Sequence, residues 1–140
     1  DGPTSFACRF PDVSGRVAVE FDLRCEKKNK HLLGFYIEKD GDFRRSIHTV
    51  VQSIDPDRPA YLRVFTKPTP YTLGSWRHIK YIIDMPNGIV DGYVDGKLVA
   101  EGVRMGTKAE SLNTFSIRDN TESTGVLMLN NLVIYKAPAA

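Results

Sequence analysis

Apolar residues recur at every second position along this chain, and almost nowhere at the three-and-four spacing of a helix. Over residues 17–25, Val17, Val19, Phe21, Leu23 and Cys25 alternate with Ala18, Glu20, Asp22 and Arg24. Successive side chains of a strand point to opposite faces, so this pattern builds a strand with one face in a core and the other in water. The signature returns where Leu33, Phe35 and Ile37 alternate with Gly34, Tyr36 and Glu38, and where Ile79, Tyr81 and Ile83 alternate with Lys80, Ile82 and Asp84. No long window carries helical periodicity bounded by a cap and a terminating glycine.

Turn chemistry agrees. Asp40-Gly41, Asn87-Gly88 and Asp95-Gly96 are dipeptides that accept the positive φ angles of tight hairpins, and each lies between apolar runs. Residues 79–84, 89–94 and 97–100 therefore read as an antiparallel meander, with further strands over 6–10, 46–51, 61–66, 114–118 and 126–135. About ten strands with no helix to cover them must pack their apolar faces on each other. The expected fold is all-β, a two-sheet antiparallel sandwich or jelly roll, with one domain over 1–136 and a short tail over 137–140. The proline-containing segments 55–59 and 67–70 are unsuited to central strands and read as loops crossing between the sheets.

The 140 residues suffice for one core, and 19 basic against 17 acidic residues are interleaved, giving a net charge of +2. That balance produces no field of the kind that grips nucleic acid. No apolar run is long enough for a membrane helix, so neither nucleic acid nor membrane is an expected partner. The opening Asp1-Gly2-Pro3 carries no charged-then-apolar leader, and any secretion signal is expected to be absent from this chain. Cys8 and Cys25 are too few for a zinc site. If residues 4–10 and 16–25 formed a simple hairpin, Cys8 would face Val19 rather than Cys25, leaving two buried thiols; a disulfide stays open as the alternative.

The segment Gly74-Ser75-Trp76-Arg77-His78-Ile79-Lys80-Tyr81, followed by Val90-Asp91-Gly92-Tyr93-Val94-Asp95-Gly96-Lys97-Leu98-Val99, resembles the central pattern of laminin G-like and concanavalin A-like sandwich domains. There a tryptophan opens one strand and a Tyr-Val-Asp-Gly-Lys hairpin follows. The run Leu127-Met128-Leu129-Asn130-Asn131-Leu132-Val133-Ile134 is similar to the closing strand of many bacterial members, with Asn130-Asn131 where those often carry Asp-Asn. The resemblance implies a lectin-like scaffold often attached to secreted, extracellular or periplasmic enzymes acting on polysaccharides, with sugar or protein ligands on the concave sheet or at rim loops.

Enzymatic jelly rolls of this group carry paired carboxylates in a Glu-x-Asp-x-x-Glu array, so that one attacks while another protonates the leaving group. The nearest pair here is Glu20 with Asp22, two positions apart and roughly 7 Å by strand rise. The alternative reading is a solvated strand face paired with lysines. Polysaccharide lyases need a Tyr or His base beside groups that neutralise a uronate, and His48, Gln52, Tyr93, Arg63 and Arg118 supply such residue types without a lyase spacing. No catalytic residue is therefore assigned.

For binding, the relevant residues lie opposite the core: His78 and Lys80 on one central strand, Asp91 and Tyr93 on the next. An aromatic ring beside hydrogen-bonding groups suits a sugar, whose C–H face stacks while its hydroxyls seek donors and acceptors. Tyr61, Arg63, Arg118 and Tyr36 extend this surface if their strands belong to the same sheet. The competing reading is that such residues only keep the sheet soluble. Trp76 is expected as a core anchor, and Tyr71, beside Pro70, as an exposed loop aromatic. A structural calcium would need oxygens from at least two of the loops Asp40-Gly41-Asp42, Asp55-Pro56-Asp57 and Asp119-Asn120-Thr121-Glu122, although turn formation explains the same residues. No metal site is assigned and no cofactor is required.

The expectation is a non-catalytic carbohydrate-binding or accessory domain of a larger secreted polysaccharide-acting protein, with a glycan and neighbouring domains as partners. The rival readings are a small glycan-active enzyme, hydrolase or lyase, and a protein-interaction or structural sandwich.

Overall fold

Eleven strands and no helix make up the described residues of the computed structural model. These are residues 5–25, 32–39, 42–52, 61–64, 67–72, 74–105, 111–119 and 127–138, with side chains described over 8–24, 69–72, 74–105, 111–115 and 130–138. The strands are β1 Ser5–Val13, β2 Arg16–Cys25, β3 Leu32–Lys39, β4 Asp42–Gln52, β5 Tyr61–Val64, β6 Lys67–Pro70, β7 Trp76–Asp84, β8 Ile89–Val94, β9 Lys97–Arg104, β10 Leu112–Asp119 and β11 Leu127–Lys136. They form a six-stranded sheet in the order β1-β10-β3-β4-β5-β6 and a five-stranded sheet in the order β11-β2-β7-β8-β9. Every pairing is antiparallel.

The alternating segments supply the core. Val17, Val19, Phe21 and Leu23 of β2 and Ile79, Tyr81 and Ile83 of β7 are all buried, joined by Val90 and Val94 of β8. From the other sheet Leu112 and Phe115 of β10 meet them. The Phe21 and Phe115 rings lie 5.3 Å apart, tilted by 49°, so aromatic contact bridges the two layers. The meander β7-β8-β9 forms as its turn residues require: Asp95 and Gly96 sit at φ 50° and 81°, and Gly88 at 66°. The Asp95 carboxylate accepts from the His78 amide at 2.8 Å and from Arg77 Nε at 2.5 Å, fixing the hairpin to the start of β7.

Several connections differ from the sequence reading. β1 does not form a hairpin with β2, which belongs to the other sheet, but pairs with β10 in the six-stranded sheet, placing Cys8 opposite Phe115 and Cys25 opposite Leu127. Cys8 is a half-buried free thiol; the Cys25 side chain lies outside the described residues. Residues 67–70 are not a loop but strand β6, the outer edge of the six-stranded sheet. Proline lacks the N–H a central ladder needs, and an edge has no second neighbour to receive it, so Pro68 and Pro70 fit there. The opposite edge, β1, carries Pro11 beside a register shift between Arg9 and Val13. Prolines on both edges blunt further strand pairing. The 55–59 segment and the Asp40-Gly41 turn lie outside the described residues, although Lys39 and Asp42 pair across the latter.

The two aromatics of the β6–β7 crossover exchange their expected roles. Tyr71 is the buried one, 5% exposed, and its hydroxyl donates to the Ser75 carbonyl at 2.8 Å. Trp76 is 45% exposed. Its even position on β7 shares the outward side of His78 and Lys80, whereas Tyr71 follows the edge strand and turns into the gap between the sheets.

Candidate functional site

On the outer face of the five-stranded sheet, the β2–β7 register sets Asp22 opposite His78 and Glu20 opposite Lys80. The His78 ring reaches both carboxylates, with Nδ1 at 2.7 Å from Asp22 Oδ1 and Nε2 at 2.6 Å from Glu20 Oε1. The remaining carboxylate oxygens are taken by the edge strand: Tyr135 OH donates to Glu20 Oε2, and Asn131 Nδ2 donates to Asp22 Oδ2 at 2.8 Å. Asn131 can reach because β11 bulges between Asn130 and Val133, with Asn131 in the left-handed region at φ 57°. The sequence shows the Glu20/Asp22 pair and offers His78 for sugar, but gives Tyr135 and Asn131 no part in a site. Tyr135 carries no local mark and Asn131 only that of the closing-strand motif; the β11–β2 register is what brings both to these carboxylates.

This geometry sets the charges. The hydrogen bond to Asp22, followed by that to Glu20, raises the His78 pKa. Glu20 is lowered chiefly by Tyr135 and Asp22 chiefly by Asn131, with His78 adding to both. A glycosidase pair needs one carboxyl held protonated by its surroundings. Here the hydrogen bonds lower both carboxyls, the opposite direction from the one that prepares a general acid.

The other candidates on this sheet are also engaged. Lys80 Nζ stands 5.7 Å from the Tyr93 ring centroid, a cation–π arrangement. Asp91 Oδ1 accepts from the Gly102 amide at 2.7 Å, where β8 and β9 slip register. At the far end Arg16, Ile82, Asp84, Ile89 and Asp91 line a recess of about 120 Å³. Small-molecule pockets run to roughly 300–1,000 Å³, so this one accommodates little beyond a few waters.

Tyr36, Tyr61, Arg63 and Arg118 do not extend this surface, because β3, β5 and β10 all belong to the six-stranded sheet. Their ladder positions nevertheless form their own pattern. Tyr36 sits opposite His48 and Ser116. Two residues along, Arg118, Gly34, Val50 and Arg63 align in one row across four strands. Two residues further, Tyr61 pairs with Gln52. With strands about 4.8 Å apart and about 3.4 Å of rise per residue, these rows span roughly 14 Å in each direction. Their side chains lie outside the described residues. Among the described residues no cluster of three or more His, Cys, Asp or Glu is arranged to hold a metal ion. The loop residues 40–41, 55–57 and 120–122, considered above for calcium, lie outside them.

No family model and no curated protein sequence matches this chain. Solved structures do. A sialidase superposes with a TM-score of 0.72 at 15% identity, over 96% of this chain but only 14% of its own length. The alginate lyase Aly36B, as a K143A/M171A mutant in complex with alginate trisaccharide, gives 0.60 at 13% identity, covering 96% of this chain and 75% of the lyase. Congerin II, liganded with lactose and MES, gives 0.63 at 9% identity over 94% of this chain and its own full length. At such identities the likeness is one of fold alone. The chain has the fold of a two-sheet antiparallel jelly-roll sandwich. Its structural neighbours include glycan-active enzymes and a lectin alike.

Proposed function

We propose that this chain is a carbohydrate-binding domain without a catalytic centre of its own, an accessory module of a larger secreted polysaccharide-acting protein, and that its ligand lies on the six-stranded sheet. The observation that carries this reading is how the candidate residues divide between the sheets. On the five-stranded sheet His78 and Asp91 already satisfy partners within the protein, and Lys80 lies against Tyr93. A sugar hydroxyl arriving there would have to displace an existing bond, which costs about as much as the new one supplies. On the six-stranded sheet the ladder brings Tyr36, His48, Gln52, Tyr61, Arg63 and Arg118 into three successive alternate rows, mixing rings with planar donors. That combination fits a sugar chain, by stacking and by bidentate hydrogen bonds. The sandwich fold shared with a lactose-liganded protein and an alginate-complexed lyase makes a glycan the ligand class to try first.

A screen of neutral and uronic-acid-bearing polysaccharides, with and without calcium, tests this directly. The expected result is binding with no release of reducing or unsaturated ends. Product release would overturn the non-catalytic assignment, and binding that vanishes with a chelator would assign a calcium ion to the loop carboxylates.

A further inference from the structure

The His78 site contains a constraint that its distances impose. A neutral imidazole has one N–H and one bare lone pair, so it can donate to only one carboxylate. Both ring nitrogens of His78 lie within 2.7 Å of carboxylate oxygens on Asp22 and Glu20. While those carboxylates are ionised, only the doubly protonated ring satisfies both contacts; loss of one proton sets a lone pair against a carboxylate oxygen. The second oxygen of each carboxylate accepts from β11, through Tyr135 and Asn131, and so adds side-chain bonds to the β2–β11 ladder within the bulge and beyond it. β11 ends the order of its sheet, and among the described residues it pairs with β2 alone. Its register there is interrupted at the Asn130–Val133 bulge.

We propose that His78 is a proton-operated latch on β11, holding the bulge and Tyr135 in place while its ring carries both protons and loosening them when it loses one. The surrounding charges leave that control with His78. From β2 come Glu20 and Asp22; from β7 itself, Lys80, which attracts Glu20. From the β8–β9 turn, Asp95 is committed to the His78 amide and Arg77. From β8, Tyr93 faces Lys80. From β11, Lys136 is turned away to the Ser14 carbonyl at 2.7 Å.

The pH window follows from the directions of shift. His78 is raised from about 6.5, so its contribution is complete below that pH and is lost as pH rises through the higher, held value. Glu20 and Asp22 are lowered from about 4.5 and 3.8, so theirs is complete above those values and lost as pH falls through the lower ones. The latch is therefore tightest between about pH 4.5 and 6.5.

Amide hydrogen exchange on the full chain tests this between pH 5 and 9, with protection factors for β11 normalised to those of β8. β11 is expected to lose protection relative to β8 as pH rises through the His78 titration, by about tenfold for each unit by which the held pKa exceeds the free one. His78→Gln, which keeps a donor and an acceptor without a charge, is expected to flatten the profile. Equal profiles for β11 and β8, or a pH dependence that survives in His78→Gln, would overturn the proposal. Ring nitrogen shifts in the unmodified protein give a check that needs no variant: a His78 titrating at or below 6.5 contradicts it.

Discussion

Replacing Phe21 by Ala is expected to destabilise the protein by about 3–5 kcal/mol, read from the denaturant midpoint at unchanged slope. Phe21 is fully buried in the centre of β2, and its ring meets that of Phe115 from the opposite sheet. Truncation removes both the transfer free energy of the ring and the atoms that fill the space between layers, and strands on both sides are too constrained to collapse into it. Phe115→Ala should cost a similar amount. Because the two rings touch, the double variant should fall short of the sum by roughly 0.5–1.5 kcal/mol. Strict additivity would mean that the two sheets do not meet through this pair.

The second large effect separates the two aromatics at the β6–β7 crossover. Tyr71→Ala is expected to cost about 3–4 kcal/mol, since it empties a buried site and removes the hydroxyl that donates to the Ser75 carbonyl. Tyr71→Phe, losing only that bond, should cost about 1 kcal/mol. Trp76→Ala, at a half-open position, should stay within about 1 kcal/mol. Thermal melts of the three variants check the order. A Trp76 truncation more damaging than that of Tyr71 would restore tryptophan as the anchor and contradict the crossover geometry.

The elements most legible in the sequence are those whose information is local. The alternation of Val17, Val19, Phe21 and Leu23 marks β2 with its buried face, and Asp95-Gly96 marks a hairpin that the positive φ angles then require. Parity alone also puts Trp76 on the outward side of β7, where alternation back from Ile79 leads; the motif resemblance drew the reading inward. Connections between the sheets leave no such mark. Nothing near Cys8 shows that β1 pairs with β10, more than a hundred residues later in the chain, rather than with its neighbour. Edge position is equally invisible until the neighbours are known, so Pro68 and Pro70 read as loop.

The candidate site follows the same division. Which residues of β7 and β8 face outward was readable; which sheet β3, β5 and β10 join was not, and that decides whether Arg63 and Arg118 stand with Tyr93. The His78 cluster depends on β2 and β7 meeting across 56 residues of sequence and on a bulge that delivers Asn131, both properties of register. The charges are written in the chain. Their mutual satisfaction is a product of the fold.

The proposed glycan-binding surface is tested most directly by titrating the strongest polysaccharide from the screen into Arg118→Ala, Arg63→Ala and Tyr93→Ala in parallel, with melting temperatures as a control for folding. Arg118 and Tyr93 lie on different sheets, so the comparison identifies the face. The arginine variants are each expected to weaken binding by about tenfold or more, as loss of a charge-assisted hydrogen bond worth roughly 1.5–3 kcal/mol requires, with Tyr93→Ala unchanged. Weakened binding in Tyr93→Ala, with both arginine variants at full affinity, would contradict this account and move the site to the five-stranded sheet.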